Sequence, residues 1–559
     1  MSKSRYGELL EPVPDWGPAE APILPGSPST PDFPPRTRIA YGLVGLLLGV
    51  TGALGSSLMS VNLLFVQGAL GLTPTEAAWI GAAYVMGGVS MNLLLIKYRQ
   101  QFGLDSFLAV FLGLFAFAAV AQAFIGDPHG VFAVRLLSGV AGAAMTTFSV
   151  FYLLQAFDAK RRLVSLVIGI GLPQLGFPLA RVLSPGLLDI GDWTQLYWLE
   201  AGLALACVAC VVSLPLPRGV RTRVFERGDL LSFSLLTLGF GLLTAVIAQG
   251  RLQWWLEAPW IGWALAASIG LLVVAAVIEH QREHPLVDTR WVLTPAFLRF
   301  SVSVLLVRVL LAEQTFGVPG LLQVTGVGPD QLRMLHLVIL AAAVAGIVVG
   351  ALLIALSPKF ILLLELAAPA LIAVAALMDA GSSLLSNPQS FYVSQAIIGF
   401  AGPMFMAAAF MLGFLMLFQR GTGALITFVV AFSVTQMLGG LLGPALLGTF
   451  QTLRASHHGA YLAEQIAVSD PQTAATVHAL SLAQSAAIVD PALQQAAGVT
   501  NVAQQAAQQA NILAFNDVFL AIGVVALIHL IVSIPAVLAI GAKLKTAAIP
   551  GATPAEAAE

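Results

Sequence analysis

The sequence predicts an all-α polytopic membrane protein, and three observations predict it. Of its 559 residues, 58% are hydrophobic and only 10% charged, with a mean hydropathy of +0.89; soluble domains carry roughly 25% charged residues. From Ile39 onward the chain divides into fourteen apolar segments, each near the ~20 residues that cross a bilayer as a helix. The Lys and Arg residues fall unevenly between the connecting segments, as the positive-inside rule requires of a defined topology. With a net charge of −2, the chain has no basic signature for nucleic acid.

The order of elements begins with residues 1–38, which hold nine prolines and few large apolar residues. That composition predicts a disordered cytoplasmic tail. The first six spans are expected over 39–64, 76–96, 104–125, 130–156, 163–185 and 193–216. Spans 7 and 8 follow at 229–250 and 259–280, and the next five at 297–321, 332–356, 360–378, 389–418 and 423–450. The last span is 514–540, and 541–559 is a second cytoplasmic tail. An even count puts both termini on one side. Placing that side in the cytoplasm assigns it twenty of the 26 cations, among them the run Lys160, Arg161 and Arg162 between spans 4 and 5. The opposite side receives Arg251, Arg333 and Arg454, and Arg135, Arg181 and Arg308 lie inside spans.

Several stretches read as packing. Cys207 and Cys210 form a CxxC inside an apolar span, where two small buried hydrophobes are the expectation. Trp254, Trp255, Trp260 and Trp263 bracket the loop between spans 7 and 8 as an interfacial belt. Glycines recur in span 1 (Gly42, Gly45, Gly49, Gly52, Gly55) and in span 13 (Gly439, Gly440, Gly443, Gly448). Small residues at that spacing allow close helix packing, with sliding during a transport cycle as the alternative. Residues 451–513 form a long Ala- and Gln-rich connection containing His457, His458 and His478, and are expected to be helical. Without a carboxylate or cysteine framework these histidines predict no metal site. An external cap or docking surface fits the segment better.

Several of these stretches, in order, resemble the major facilitator superfamily, specifically its fourteen-helix drug:proton antiporter branch (EmrB/QacA type). Trp79 and Tyr84 in WIGAAYV match span 2 of that branch, and Phe102-Gly103 the following loop. Arg135 and Gly139 match its Arg-x-x-Gln-Gly, with Ser138 in place of Gln. EHQREHPLVDTRWVLTPAF resembles the linker ahead of span 9, and LLQVTGVGPDQL the segment after it. RGTGALITFVVAFSVTQMLGGLLGPALLGTF is similar to the span 13 region. There are departures. IKYRQQFGLD lacks the acid and paired arginines of the family's loop between helices 2 and 3, Ser57 stands where an acid is expected in span 1, and GFPLAR replaces the antiporter motif of span 5.

The resemblance implies a major facilitator fold in a 6+2+6 arrangement. Residues 39–216 form one six-helix bundle, 217–290 two additional helices, and 291–540 a second bundle that includes the 451–513 loop. It implies a secondary active transporter of the inner membrane, with a midplane cavity lined by spans 1, 4, 9 and 12. The expected function is proton-coupled efflux of amphipathic small molecules, with protons and a small-molecule substrate as partners and no cofactor. A periplasmic membrane-fusion adaptor is the expected partner of the 451–513 loop. An importer or facilitator on the same fold, or a non-transporting scaffold, remains the alternative. Neither a nucleophile–base set nor a metal framework points to an enzyme.

An ionisable residue inside the membrane is costly and marks function or a structural tie. The proton-coupling candidates are Glu313 on span 9, with Arg135 and Arg308 setting its ionisation. Glu313 and Arg308 are five residues apart, about 140° around a helix, and so face different neighbours. Gln395, Met404, Met406, Phe316 and Tyr152 are the cavity-lining candidates. Arg181, Glu200, His336, Glu365 and Asp517 are secondary candidates, for which structural pairing is the simpler reading.

Overall fold

The computed structural model describes residues 6–17, 20–22, 24–158, 161–188, 193–466 and 470–546, and its regular elements are all helical. Lys3, Arg5, Lys160 and the C-terminal tail beyond 546 lie outside the described residues. The first bundle comprises α1 (Pro35–Val61), α2 (Pro74–Asn92), α3 (Leu95–Gln122), α4 (Pro128–Ala156), α5 (Arg162–Gly186) and α6 (Thr194–Ser213). Next come α7 (Arg227–Gly250) and α8 (Pro259–Gln281). The second bundle contains α9 (Pro295–Val324), α10 (Arg333–Leu356), α11 (Phe360–Asp379), α12 (Pro388–Arg420) and α13 (Leu425–Gln465). A short α14 (Pro471–Ala483) precedes α15 (Pro491–Thr546), which supplies the last crossing.

Thirteen of these helices are long and apolar enough to cross a membrane. The expected second span is α2, a 19-residue helix that falls short of that standard. Helix starts follow a local rule in the sequence. Thr73-Pro74, Asp127-Pro128, Thr294-Pro295 and Asp470-Pro471 each place proline in the first turn, and the preceding side chain accepts a backbone N–H.

The two bundles repeat their internal partnerships. α2 packs on α4 and α3 on α6 in the first; α10 packs on α12 and α11 on α15 in the second. Backbone contact makes the first pairing in each. A Cβ on Gly139 would collide with the Tyr84 carbonyl, one on Gly87 with the Leu136 carbonyl, and one on Gly346 with the Phe400 carbonyl. The bundles meet along α5 against α10, where Leu172 and Leu175 pack on Ala343 and Ile347, and along α2 against α13, where Gly88 admits Met437. α7 and α8 pair with each other, and α7 also packs on α2 and α13.

One region differs from its sequence reading. The proline-rich start, expected to be a disordered tail, is laid across one end of the first bundle. Leu9 bridges to Thr222 and Pro28 to Gly219, residues 26–30 are buried, and Gln155 donates to the Ser29 carbonyl at 3.1 Å. Composition hid this because the segment is anchored by a remote strand-like stretch as well as by its own turns. The connection at 451–513, expected to be helical, is so, and mostly as a continuation of the flanking spans. α13 has 41 residues and α15 has 56, about 60 and 85 Å at ~1.5 Å per residue, against a ~30 Å hydrocarbon core. Their ends form a hairpin on the opposite face, capped by α14. The two faces are called here the tail face and the hairpin face.

Candidate functional site

The site is built where α9 stops being an ordinary helix. From Glu313 to Gly317 the pairing widens, and the Val318 amide reaches the Glu313 carbonyl five residues back. Such one-turn bulges cost pairing energy and cluster at functional positions. Gly317 sits against the Phe519 ring of α15 with no room for a Cβ, which lets the widened turn pack inward.

The bulge presents Glu313 to α11 and α12, fully buried. Gln395 Nε2 donates to Glu313 Oε1 at 2.9 Å and to Asp379 Oδ2 at 3.1 Å. Two carboxyl groups from α9 and α11 therefore face each other across one amide of α12. Gln314 steadies this arrangement, donating through Nε2 to the Gln395 carbonyl at 3.0 Å. Glu313 Oε2 and Gln395 Oε1 have no partner among the described residues. Among the described residues, the charged neighbour of each acid is the other acid and not a cation. Such a pair can donate or accept a proton, because two unscreened carboxylates this close repel strongly in a low dielectric.

The expected cation partners of Glu313 are elsewhere. Arg135, fully buried on α4, donates through Nη1 to the Gly55 carbonyl at 3.1 Å and lies 4.7 Å above the Tyr84 ring. It interacts electrostatically with Glu200 of α6, which approaches through the gap left by Gly55. Arg135 thus belongs to the first bundle and does not touch Glu313. Arg308 does face away from Glu313, and it packs on Gly439 and Gly440 of α13. Neither arginine pairs with the acid.

Of the cavity candidates, Gln395 joins the site directly, and Phe316 lies one turn along, between Arg251 at 5.0 Å and the Phe515 ring at 5.8 Å. Met404 and Met406 are buried in the main core. Tyr152 is buried with its hydroxyl donated to the Leu214 carbonyl at 2.8 Å, which ties α4 to the end of α6. The other polar candidates are distributed. Arg181 lies 5.5 Å over Phe177, and Phe177 packs on His336 across the α5–α10 seam. Glu365 meets Ser303 and, through it, His529. Asp517 accepts from Arg454 at 2.6 Å and pairs with His458 at 2.7 Å, clamping the base of the hairpin.

Two features escaped sequence reasoning. Asp379 closes α11, where an acid reads as interfacial; the signal was its fall at the very end of an apolar run with no cation after it. The second is an ion cluster on the tail face. Lys97, fully buried, pairs with Asp229 at 2.7 Å, and Arg282 bonds Asp229 at 2.7 Å, Glu279 at 2.8 Å and Glu226 at 3.1 Å. Burial alone would lower the Arg282 pKa, but hydrogen bonds to Asp229 and Glu279 outweigh it and raise it. His284 stacks on Tyr6 at 3.9 Å, so the N-terminal segment covers the cluster. The region whose family motif is missing is therefore cross-linked by other charges.

Comparison with known proteins agrees with this architecture. The chain is 27% identical over 470 residues to the puromycin resistance protein pur8 of Streptomyces alboniger, covering 80% of this chain and 88% of that protein. It is 25% identical over 268 residues to a probable actinorhodin transporter of Streptomyces coelicolor, 46% of this chain and 44% of the relative. It is 27% identical over 218 residues to a triacylglyceride transporter of Mycobacterium tuberculosis, 37% of this chain and 40% of the relative. Among solved structures, tetrameric PepTSo2 matches with a TM-score of 0.52 at 12% identity, over 91% of this chain and 99% of that one, a likeness of fold alone. The family model of the Major Facilitator Superfamily matches residues 45–444, and the chain belongs to that superfamily.

Proposed function

We propose that this protein is a fourteen-span secondary transporter in a 6+2+6 arrangement, with both termini in the cytoplasm, that exports amphipathic small molecules across the inner membrane in exchange for protons. The observation that carries the reading is the Glu313–Gln395–Asp379 group. It is a buried carboxyl pair, with no cation paired to it among the described residues, and its Glu313 lies on a widened turn of a helix that packs against α12, α13 and α15. Protonating such a pair removes a buried charge, and this change can bias one bundle packing over another. The relatives' names, a puromycin resistance protein and an actinorhodin transporter, support export of small organic molecules.

The test uses the purified full chain in proteoliposomes with puromycin as probe and an imposed pH difference. Wild type accumulates puromycin against its gradient. Glu313→Gln and Asp379→Asn should keep puromycin exchange but lose uphill accumulation by at least about tenfold, the equivalent of ~1.4 kcal/mol. Accumulation at the wild-type level in both variants rules out the coupling role.

The hairpin supports a second element of the reading, an adaptor partner on the external side. α13 and α15 project well past the length a bilayer needs, held by the Arg454–Asp517 pair and the Gln451–Asn511 hydrogen bond. Replacing 466–490 with a short Gly/Ser bridge should abolish resistance in cells and leave vesicle transport intact. Retained resistance removes the partner.

A further inference from the structure

The second bundle holds another buried acid that the coupling pair does not use. Glu365 lies on α11, fourteen residues before Asp379, about 21 Å nearer the tail face at ~1.5 Å per residue. It is 5% exposed. Its Oε1 accepts from Ser303 Oγ at 3.3 Å, and Ser303 Oγ also contacts His529 Nε2 at 3.2 Å. Glu365 Oε2 has no partner among the described residues. Three helices, α9, α11 and α15, converge to make this group, and α9 and α11 are the two that supply Glu313 and Asp379.

The surrounding charges are turned elsewhere. Arg299 of α9 donates to the Pro295 carbonyl, Arg308 packs on α13, and Arg420 of α12 pairs with Asp288. His336 of α10 bonds the Leu332 carbonyl near the hairpin face. Hence the titratable partner of Glu365 across its serine is His529, and among the described residues no cation pairs with the acid. A static ion pair would place an arginine or lysine here; an acid, a hydroxyl and an imidazole in line are the parts of a proton relay.

We propose that Glu365, with Ser303 and His529, is a second protonation site of the transport cycle, serving the tail face as the Glu313–Asp379 pair serves the hairpin face. The proposal rests on the proton-coupled reading above. The transfer balances without any other reactant. A proton on His529 Nε2 passes to Ser303 Oγ while the Ser303 hydroxyl proton passes to Glu365 Oε1. The imidazolium becomes neutral imidazole, the carboxylate becomes a carboxylic acid, and the serine ends as it began. Reversal returns the proton to His529.

The experiment pairs transport with a direct view of the carboxyl. In the same puromycin proteoliposomes, Glu365→Gln should retain exchange and lose gradient-driven accumulation by about tenfold. Ser303→Ala, which removes the bridge and leaves the acid, should slow accumulation without abolishing it. Infrared difference spectra of the full chain in lipid nanodiscs, taken between roughly pH 5 and 9, should show a carboxylic-acid band that is absent in Glu365→Gln and present in Glu313→Gln. Wild-type accumulation together with an unchanged spectrum in Glu365→Gln overturns the second site and leaves the Glu313 reading standing. Wild-type accumulation in Glu313→Gln and Asp379→Asn overturns the coupling reading, and the infrared band then decides whether Glu365 carries an exchanging proton. Loss of exchange along with accumulation in Glu365→Gln, with no lost band, marks a structural acid and also overturns it.

Discussion

An isolated charge in an apolar helix is conspicuous in a sequence, but its partner is not. Arg135, Glu313 and Glu365 all stand out in runs of Leu, Val and Ala, and the structure buries all three. What each one meets is decided by helix pairing between residues far apart in sequence, so Glu313, 82 residues from Gln395, found an amide and an acid where a cation was expected. Arg135 keeps two nitrogens, Nε and Nη2, without a partner among the described residues, beside Tyr84 and Glu200. Lysine preserves the charge but loses the planar stack and the fork. Arg135→Lys should therefore lower puromycin transport by about ten- to a hundredfold, the worth of one charged hydrogen bond, at unchanged expression. Transport equal to wild type would show that only the charge matters.

Helices were legible by length and by their Pro-led starts, and the irregularities in them were not. The widened turn at Glu313–Gly317 leaves no periodicity signal, because one inserted residue is lost among apolar neighbours. α3 is broken at Gly103, whose φ of 83° favours glycine and turns the stretch Leu95–Phe102 away from the rest of the helix. That turn delivers Lys97 to Asp229 at the start of α7. Breaking a buried pair costs about 3–5 kcal/mol. Lys97→Met should sit at the low end, since Asp229 retains Arg282. Arg282→Met should cost more, because it leaves Glu226, Asp229 and Glu279 without their shared cation. Thermal unfolding of the two variants in detergent checks this order; equal midpoints would mean the cluster is held by packing alone.

Taken as a whole, the molecule is an assembly of helices that were readable from apolar length, joined by contacts that were not. The N-terminal segment is the clearest case. Its partners are Arg218, Gly219, Arg221, Thr222 and Arg223, and its Tyr6 lies on His284. Removing residues 2–33 should uncover Arg99 and Gln100, against which Gly26 packs, and lower the unfolding midpoint, without changing the infrared band of Glu365; an unchanged midpoint would mean the segment merely rests there. The same pairing has a temporal side. A chain is made from its N-terminus and folds in that order, so residues 6–30 leave the ribosome before any of their remote partners exists. They must wait while six helices insert, exposed to proteases and chaperones, until the stretch at 218–223 is delivered. A nascent chain arrested at 216 should be clipped readily within its first thirty residues, and one arrested well past 284 should be protected there.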